Sequence, residues 1–252
     1  MIRVEHLTKT YDRRVAVADL SFTVQPGEVL GLLGPNGAGK TTTLRTIAGI
    51  LPPTHGQLSI DGRDLVAEPI AAKAKLAWIP DDPHLFPSLT IWEHLEFTAK
   101  VYGVTDWEGP GRKLLERFDL GQRADTLADE LSRGMRQKVA TACALLHDPR
   151  ALLLDEPMTG LDPRGIRTLY DVLRERAAAG AAVIVSSHLL AQLESLCTRY
   201  LILVEGKRLF FGSRDEILAE LEGLRGDATL EDIFFHATER ASAGSPPAPG
   251  GS

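Results

Sequence analysis

What this chain has little of narrows the field first. It carries two cysteines in 252 residues, Cys143 and Cys197, each among apolar neighbours and without a second ligand at metal spacing. Two such residues make neither a disulfide framework nor a cysteine metal site, so both are expected to be buried free thiols in a reducing compartment. No apolar run approaches the roughly 18 residues of a membrane span, and the opening MIRVEHLTKTYD holds no stretch of signal-peptide length. The expected location is therefore the cytoplasm. No long basic run offsets the formal net charge of −6, which argues against a nucleic-acid binder that works by neutralising phosphates. No repeat of domain length is present.

What is there is the composition of a globular protein, with 44% hydrophobic residues and enough length to bury one large core. The first 33 residues alternate as short strands, including SFTV at Ser21 to Val24. GQLSIDGRDL reads as a hairpin that turns at Asp61-Gly62. From Thr90, a plausible N-cap, Ile91, Leu95, Thr98 and Tyr102 fall on one helical face that ends at Gly103. A second helix is expected over Arg112 to Phe118. Beyond it, helices at Met135–Leu146 and Pro163–Ala179 alternate with strands at Ala151–Leu154, Ala182–Ser186 and Tyr200–Val204, the pattern of a parallel sheet. The Pro-, Gly- and Ser-rich end, ASAGSPPAPGGS, is expected to be disordered.

The sharpest local signal is GPNGAGKTT at Gly34 to Thr42, between the apolar run VLGLL and a helix expected from Thr41 to Ala48. Gly34, Gly39, Lys40 and Thr41 fit G-x-x-x-x-G-K-[ST]. In that motif backbone N–H groups close around phosphates, the lysine reaches the β- and γ-phosphates, and the threonine hydroxyl holds Mg²⁺. Asn36, Gly37, Ala38 and Thr42 complete the loop. A second signal is ALLLDEP, an apolar strand that delivers Asp155 and Glu156 to a sheet edge. There Asp155 can hold Mg²⁺ through water and Glu156 can polarise an attacking water.

Further segments resemble one family. LSRGMRQK at Leu131 to Lys138 is similar to the signature sequence of ABC-type ATPases, TGLDP at Thr159 to Pro163 to their D-loop, and VSSHLL places His188 at their switch histidine. Tyr11 matches the aromatic that stacks on adenine. With the phosphate loop and ALLLDEP these make six motifs in the family's order, from about Met1 to the strand pair near Phe211. For single residues plainer roles stay open: Tyr11 could pack on the sheet, His188 could cap a helix, and Ser132 could be an N-cap and nothing more.

The resemblance implies an α/β fold, a P-loop NTPase core with a mainly parallel sheet, an N-terminal antiparallel strand layer and a helical subdomain insertion. The core is expected over residues 1–84 and 133–237, the helical segment over 85–132, and a disordered tail over 238–252. It also implies ATP and Mg²⁺ as cofactors and a homodimer or heterodimer of nucleotide-binding domains. In that dimer Ser132, Gly134 and Asp162 would complete the ATP site of the other copy. A separate membrane permease is implied as well, with the helical segment and WIPDDPHLFPSLT forming the groove that receives it. The location would be peripheral, on the inner face of the membrane. RLFFGSRDEILAE and LEDIFFHAT resemble exporter-type subunits, which implies export. The catalytic set is Lys40, Glu156 and His188.

Three positions depart from the family pattern, one of them Met135, which stands where the commonest signature has Gln. Asp81 stands where the family has a Gln that contacts Mg²⁺; it could still serve as a metal ligand, but it adds negative charge beside Asp155 and Glu156. Arg133 stands where the commonest signature has Gly, and it either adds charge at the dimer seam or faces solvent. Together Asp81 and Arg133 suggest a rival reading, a nucleotide-gated dimerisation module with feeble hydrolysis. A GTPase or small-molecule kinase would leave the signature unexplained, and no Asn-Lys-x-Asp segment occurs.

Overall fold

The structure, a computed structural model, describes residues 1–221 and 228–243. β1 (Ile2–Tyr11) and β2 (Arg14–Val24) pair as an antiparallel hairpin. β3 (Val29–Leu33) then enters a second sheet and leads through the glycine loop into α1 (Lys40–Ile47). The chain returns to the first sheet as β4 (His55–Ile60) and β5 (Arg63–Asp64), which turn at Asp61 and Gly62 with φ of 50° and 78°. Two successive positive φ values give the turn whose twist matches a hairpin. The first sheet is ordered β2-β1-β4-β5 and is antiparallel throughout.

α2 (Pro69–Lys73) precedes β6 (Leu76–Ile79), after which α3 (Ile91–Tyr102) and α4 (Glu108–Arg117) stand outside both sheets. Thr90 and Glu93 form a reciprocal capping box at the start of α3, and Gly103 ends it at φ 68°. This accounts for both boundaries in local terms. The buried stripe of α3 is Ile91, His94, Leu95 and Ala99. Tyr102, expected on that stripe, is instead 40% exposed, with its ring stacked on His147 at 3.7 Å. His94 is a satisfied core histidine: Nε2 accepts from the Phe86 N–H, and Nδ1 donates to the Thr90 carbonyl.

α5 (Arg133–Leu146), β7 (Ala151–Asp155), α6 (Pro163–Ala178), β8 (Ala182–Ser186), α7 (Leu190–Leu196), β9 (Arg199–Val204), β10 (Lys207–Gly212), α8 (Arg214–Glu220) and α9 (Leu230–Ala243) complete the described chain. The second sheet is ordered β10-β9-β3-β8-β7-β6; it is parallel except for β10, which pairs antiparallel with β9. Its inner strands β3, β7 and β8 are buried on both faces, whereas the edge strand β10 is largely exposed or half-buried. Val29 and Leu33 of β3 join the core under the helices, whereas Leu30 and Leu32 join the core shared with the antiparallel sheet. That is the two-residue alternation of a strand, and each leucine so buried contributes about 2 kcal/mol. α9 runs to Ala243, past residue 237, where the core is expected to end. No glycine or proline interrupts it before Gly244, and residues 244–252 of the expected tail lie outside the described residues.

Candidate functional site

The carboxyl ends of β3, β7 and β8 lie side by side, with Leu32 opposite Ser186 and Ser186 opposite Asp155. Strand order alone thus gathers the glycine loop, the acidic pair and the switch segment at one edge, where open α/β sheets bind ligands. A cavity of about 900 Å³ opens there, lined by Tyr11, Arg14, residues 35–42, Asp155 and Glu156, with Val204 and Glu205 closing one side.

The glycine loop is held by backbone. Gly39 has φ 101°, and a β-carbon on it would sit 2.6 Å from the Ala16 carbonyl, so no larger residue fits. The Gly206 N–H donates to the Ala38 carbonyl at 3.0 Å, which ties the β9–β10 turn to the loop. Lys40 Nζ donates to the Gly34 and Pro35 carbonyls at 2.7 and 3.2 Å. Burial pulls this ammonium below its ordinary 10.5, while Glu156 and Asp155 pull it back up. A cation partly stripped of water and surrounded by loop carbonyls is one that a phosphate group can recruit.

The acidic pair is set by β8. Ser186 Oγ donates to Asp155 Oδ1 at 2.6 Å and accepts from the Glu156 N–H at 3.1 Å. Glu156 takes φ 48°, a left-handed conformation that is costly for a side chain of its size, and its N–H also donates to the Ser186 carbonyl. His188 then grips the glutamate: its Nδ1 donates to Oε2 at 2.7 Å and its backbone N–H to the same oxygen at 3.3 Å. One carboxylate oxygen takes both donors, which leaves Oε1 without a hydrogen-bond partner among the described residues.

Six expected site residues do not line that cavity: Gly34, Asp81, Ser132, Gly134, Asp162 and His188. Ser132 caps α5, its Oγ accepting from the Met135 N–H. Gly134 lies so close to the D-loop that a β-carbon would meet the Gly160 carbonyl at 2.3 Å. Asp162 caps α6 through the Gly165 N–H and pairs with Lys138 at 3.3 Å. Asp81, expected as a metal ligand, does not line the cavity; Arg133 holds its Oδ1 at 2.7 Å. His188 lines a second cavity of about 500 Å³, between residues 34–36, the switch segment and α9. Arg14 belongs to the site although no motif named it, and Ser186 lies in the VSSHLL segment but is not among the expected site residues. The available signals were Arg14's place three residues after Tyr11 and the strand-end position of Ser186.

Tyr11 is 43% exposed at the cavity mouth, with Lys9 Nζ 5.2 Å from its ring centre. Both cysteines are free, and burial pushes the Cys143 thiol up to about 12.

Residues 17–159, more than half of the chain, match the family described as ABC transporter. The chain belongs to that family. It is 36% identical over 241 residues to the ABC-type transporter ATP-binding protein EcsA of Bacillus subtilis (strain 168), covering 95% of this chain and 97% of that protein. It is 38% identical over 214 residues to the Nod factor export ATP-binding protein I of Burkholderia pseudomallei (strain 1710b), covering 84% of this chain and 70% of that one. A solved structure described as the ATP binding subunit of an ABC transporter superposes with a TM-score of 0.90 at 36% identity, over 94% of this chain and 99% of that one. This ABC protein is thus an ATP-binding transporter subunit and an ATPase, with the P-loop NTPase fold expected of it.

Proposed function

We propose that this subunit works as one half of a nucleotide-binding pair, hydrolysing ATP with Mg²⁺ to drive a separate membrane permease, in the direction of export. One observation carries the reading: Lys40, Thr41, Asp155 and Glu156 gather on one cavity, while Ser132, Gly134 and Asp162 of the same chain do not line it. A site whose family motifs fall into two spatial groups is completed by a second copy or a close relative.

The residues present fit a magnesium ion. Thr41 and Asp155 offer hard oxygen donors on the cavity, and Asp155 Oδ2 has no hydrogen-bond partner among the described residues. A magnesium ion is commonly held by one or two protein oxygens and by substrate phosphates. Bound there, the ion would neutralise phosphate charge. Lys40 exchanges its loop carbonyls for phosphate oxygens, and the loop amides take the rest. Tyr11 offers a ring face to the base and Arg14 a further cation at the rim. Glu156 accepts the proton of an attacking water on its free oxygen, and His188 keeps that carboxylate aimed.

The partner-receiving face is proposed at α3 and the loop before it. There Phe86, Phe97 and Val101 are exposed, with the Phe86 and Phe97 rings edge to face at 5.3 Å. Beside them is a cavity of about 210 Å³, lined by Asp82 to Leu85, Pro87, Ala128, Asp129 and Arg136. Among the described residues no helix is long and apolar enough to cross a membrane, and the permease is proposed as another chain. Export is supported by the Burkholderia relative, a Nod factor export ATP-binding protein. The net charge of −6 disfavours a nucleic-acid partner. The test is sedimentation of the Glu156→Gln chain with and without ATP: an ATP-dependent dimer is expected, and a monomer at saturating ATP overturns the pairing.

A further inference from the structure

Two of the residues that depart from the family pattern, Asp81 and Arg133, hold each other. Asp81 follows β6, on the loop that leads into the helical segment; Arg133 opens α5, at the end of that segment. They are 52 positions apart, yet Arg133 Nη2 lies 2.7 Å from Asp81 Oδ1 and 3.4 Å from the Asp81 carbonyl. α5 makes two more ties: Gln137 Nε2 donates to the Pro80 carbonyl, and Lys138 pairs with Asp162. Arg133 reaches Asp81 by passing over bare Gly160, its Cγ 3.3 Å from where a β-carbon would stand. Both partners are about half exposed, at 43% and 50% of the side chain, so the pair is weak and open to competition from a stronger anion.

We propose that Asp81–Arg133 is an exchange latch. In the free chain Arg133 clamps the loop after β6 to the signature, and on pairing it hands its guanidinium from Asp81 to the triphosphate on the other copy. Guanidinium binds a phosphate in the same two-pronged manner as a carboxylate, and the phosphate carries more charge. ATP arriving on one copy thereby frees the Asp81 carboxylate of the other and loosens the loop after β6 from the signature. Arg133 acts as a positioning residue for its own site. The proposal rests on the pairing proposed above.

The exchange gives the two latch partners opposite effects, whereas a plain structural ion pair would give them the same one. Asp81→Asn and Arg133→Gln are each placed in the Glu156→Gln chain, and the ATP concentration for half-maximal dimer is read by sedimentation. Asp81→Asn leaves no pair to break and should lower that concentration about two- to fivefold. Arg133→Gln loses the phosphate contact and should raise it about tenfold, while leaving ATP affinity at dilutions where the chain is monomeric within about twofold, since Arg133 does not line its own cavity. Shifts in the same direction, or a matching loss of monomer affinity, overturn the latch. A Glu156→Gln parent that stays monomeric with ATP overturns the pairing itself, and the latch with it, before any variant is compared.

Discussion

The phosphate loop and the signature segment both open helices, and both carry a glycine that admits no β-carbon, yet they are held in different ways. The loop is fixed by backbone: the Gly39 φ, the approach of the Ala16 carbonyl and the Gly206 N–H donating to Ala38. The signature is fixed largely by side chains, through Arg133 on Asp81, Gln137 on Pro80 and Lys138 on Asp162. A backbone cradle presents amides in one arrangement and loses little entropy on meeting phosphate. Of these ties the half-exposed Arg133–Asp81 pair is cheap to exchange. The first arrangement suits a site complete in one chain, the second a surface that must let go of its own chain to meet another.

The largest test of that contrast lies on the loop side. Glu156→Gln should slow phosphate release about 10²- to 10⁴-fold, about 3–5 kcal/mol, while nucleotide titration shows ATP still bound; unchanged turnover would remove the base from this side. Lys40→Ala should weaken ATP about 10- to 100-fold in the same titration, the loss of one charge-assisted contact. Gly39→Ala should cost about 1–3 kcal/mol of stability in urea unfolding, because the new methyl meets the Ala16 backbone. The smallest effect falls on the signature: Ser132→Ala removes an N-cap worth about 1 kcal/mol and should leave ATP affinity of the single chain intact. A Ser132→Ala chain that lost ATP affinity as a monomer would erase the contrast.

Much of the fold is legible from neighbouring residues. The Asp61-Gly62 turn, the Thr90 cap with its Gly103 stop, the extent of β8 and the strand-loop-helix around Lys40 all follow from signals within a few positions. α2, α7 and α8 are not legible, for they have five or seven residues and depend on packing rather than propensity. α4 begins at Glu108, four residues before the expected Arg112, because Pro110 is tolerated in a first turn. At the site, the motif residues are legible by spacing, but the ion pair between Asp81 and Arg133 is not, because its partners are 52 positions apart.

By itself the sequence determined which residue types stand in which local order: the glycine loop with its lysine, the acidic pair behind an apolar strand, the serine that starts α5. Each of those depends on φ, capping or alternation over a few residues, so it can be read one window at a time. Only the tertiary structure decided that Ser186 orders both acids, that His188 grips Glu156 and that Arg133 takes Asp81. Those partners lie 31, 32 and 52 positions apart. Such pairs are brought together by the order of strands in the sheet and by the packing of α5 against it, and no local pattern encodes either.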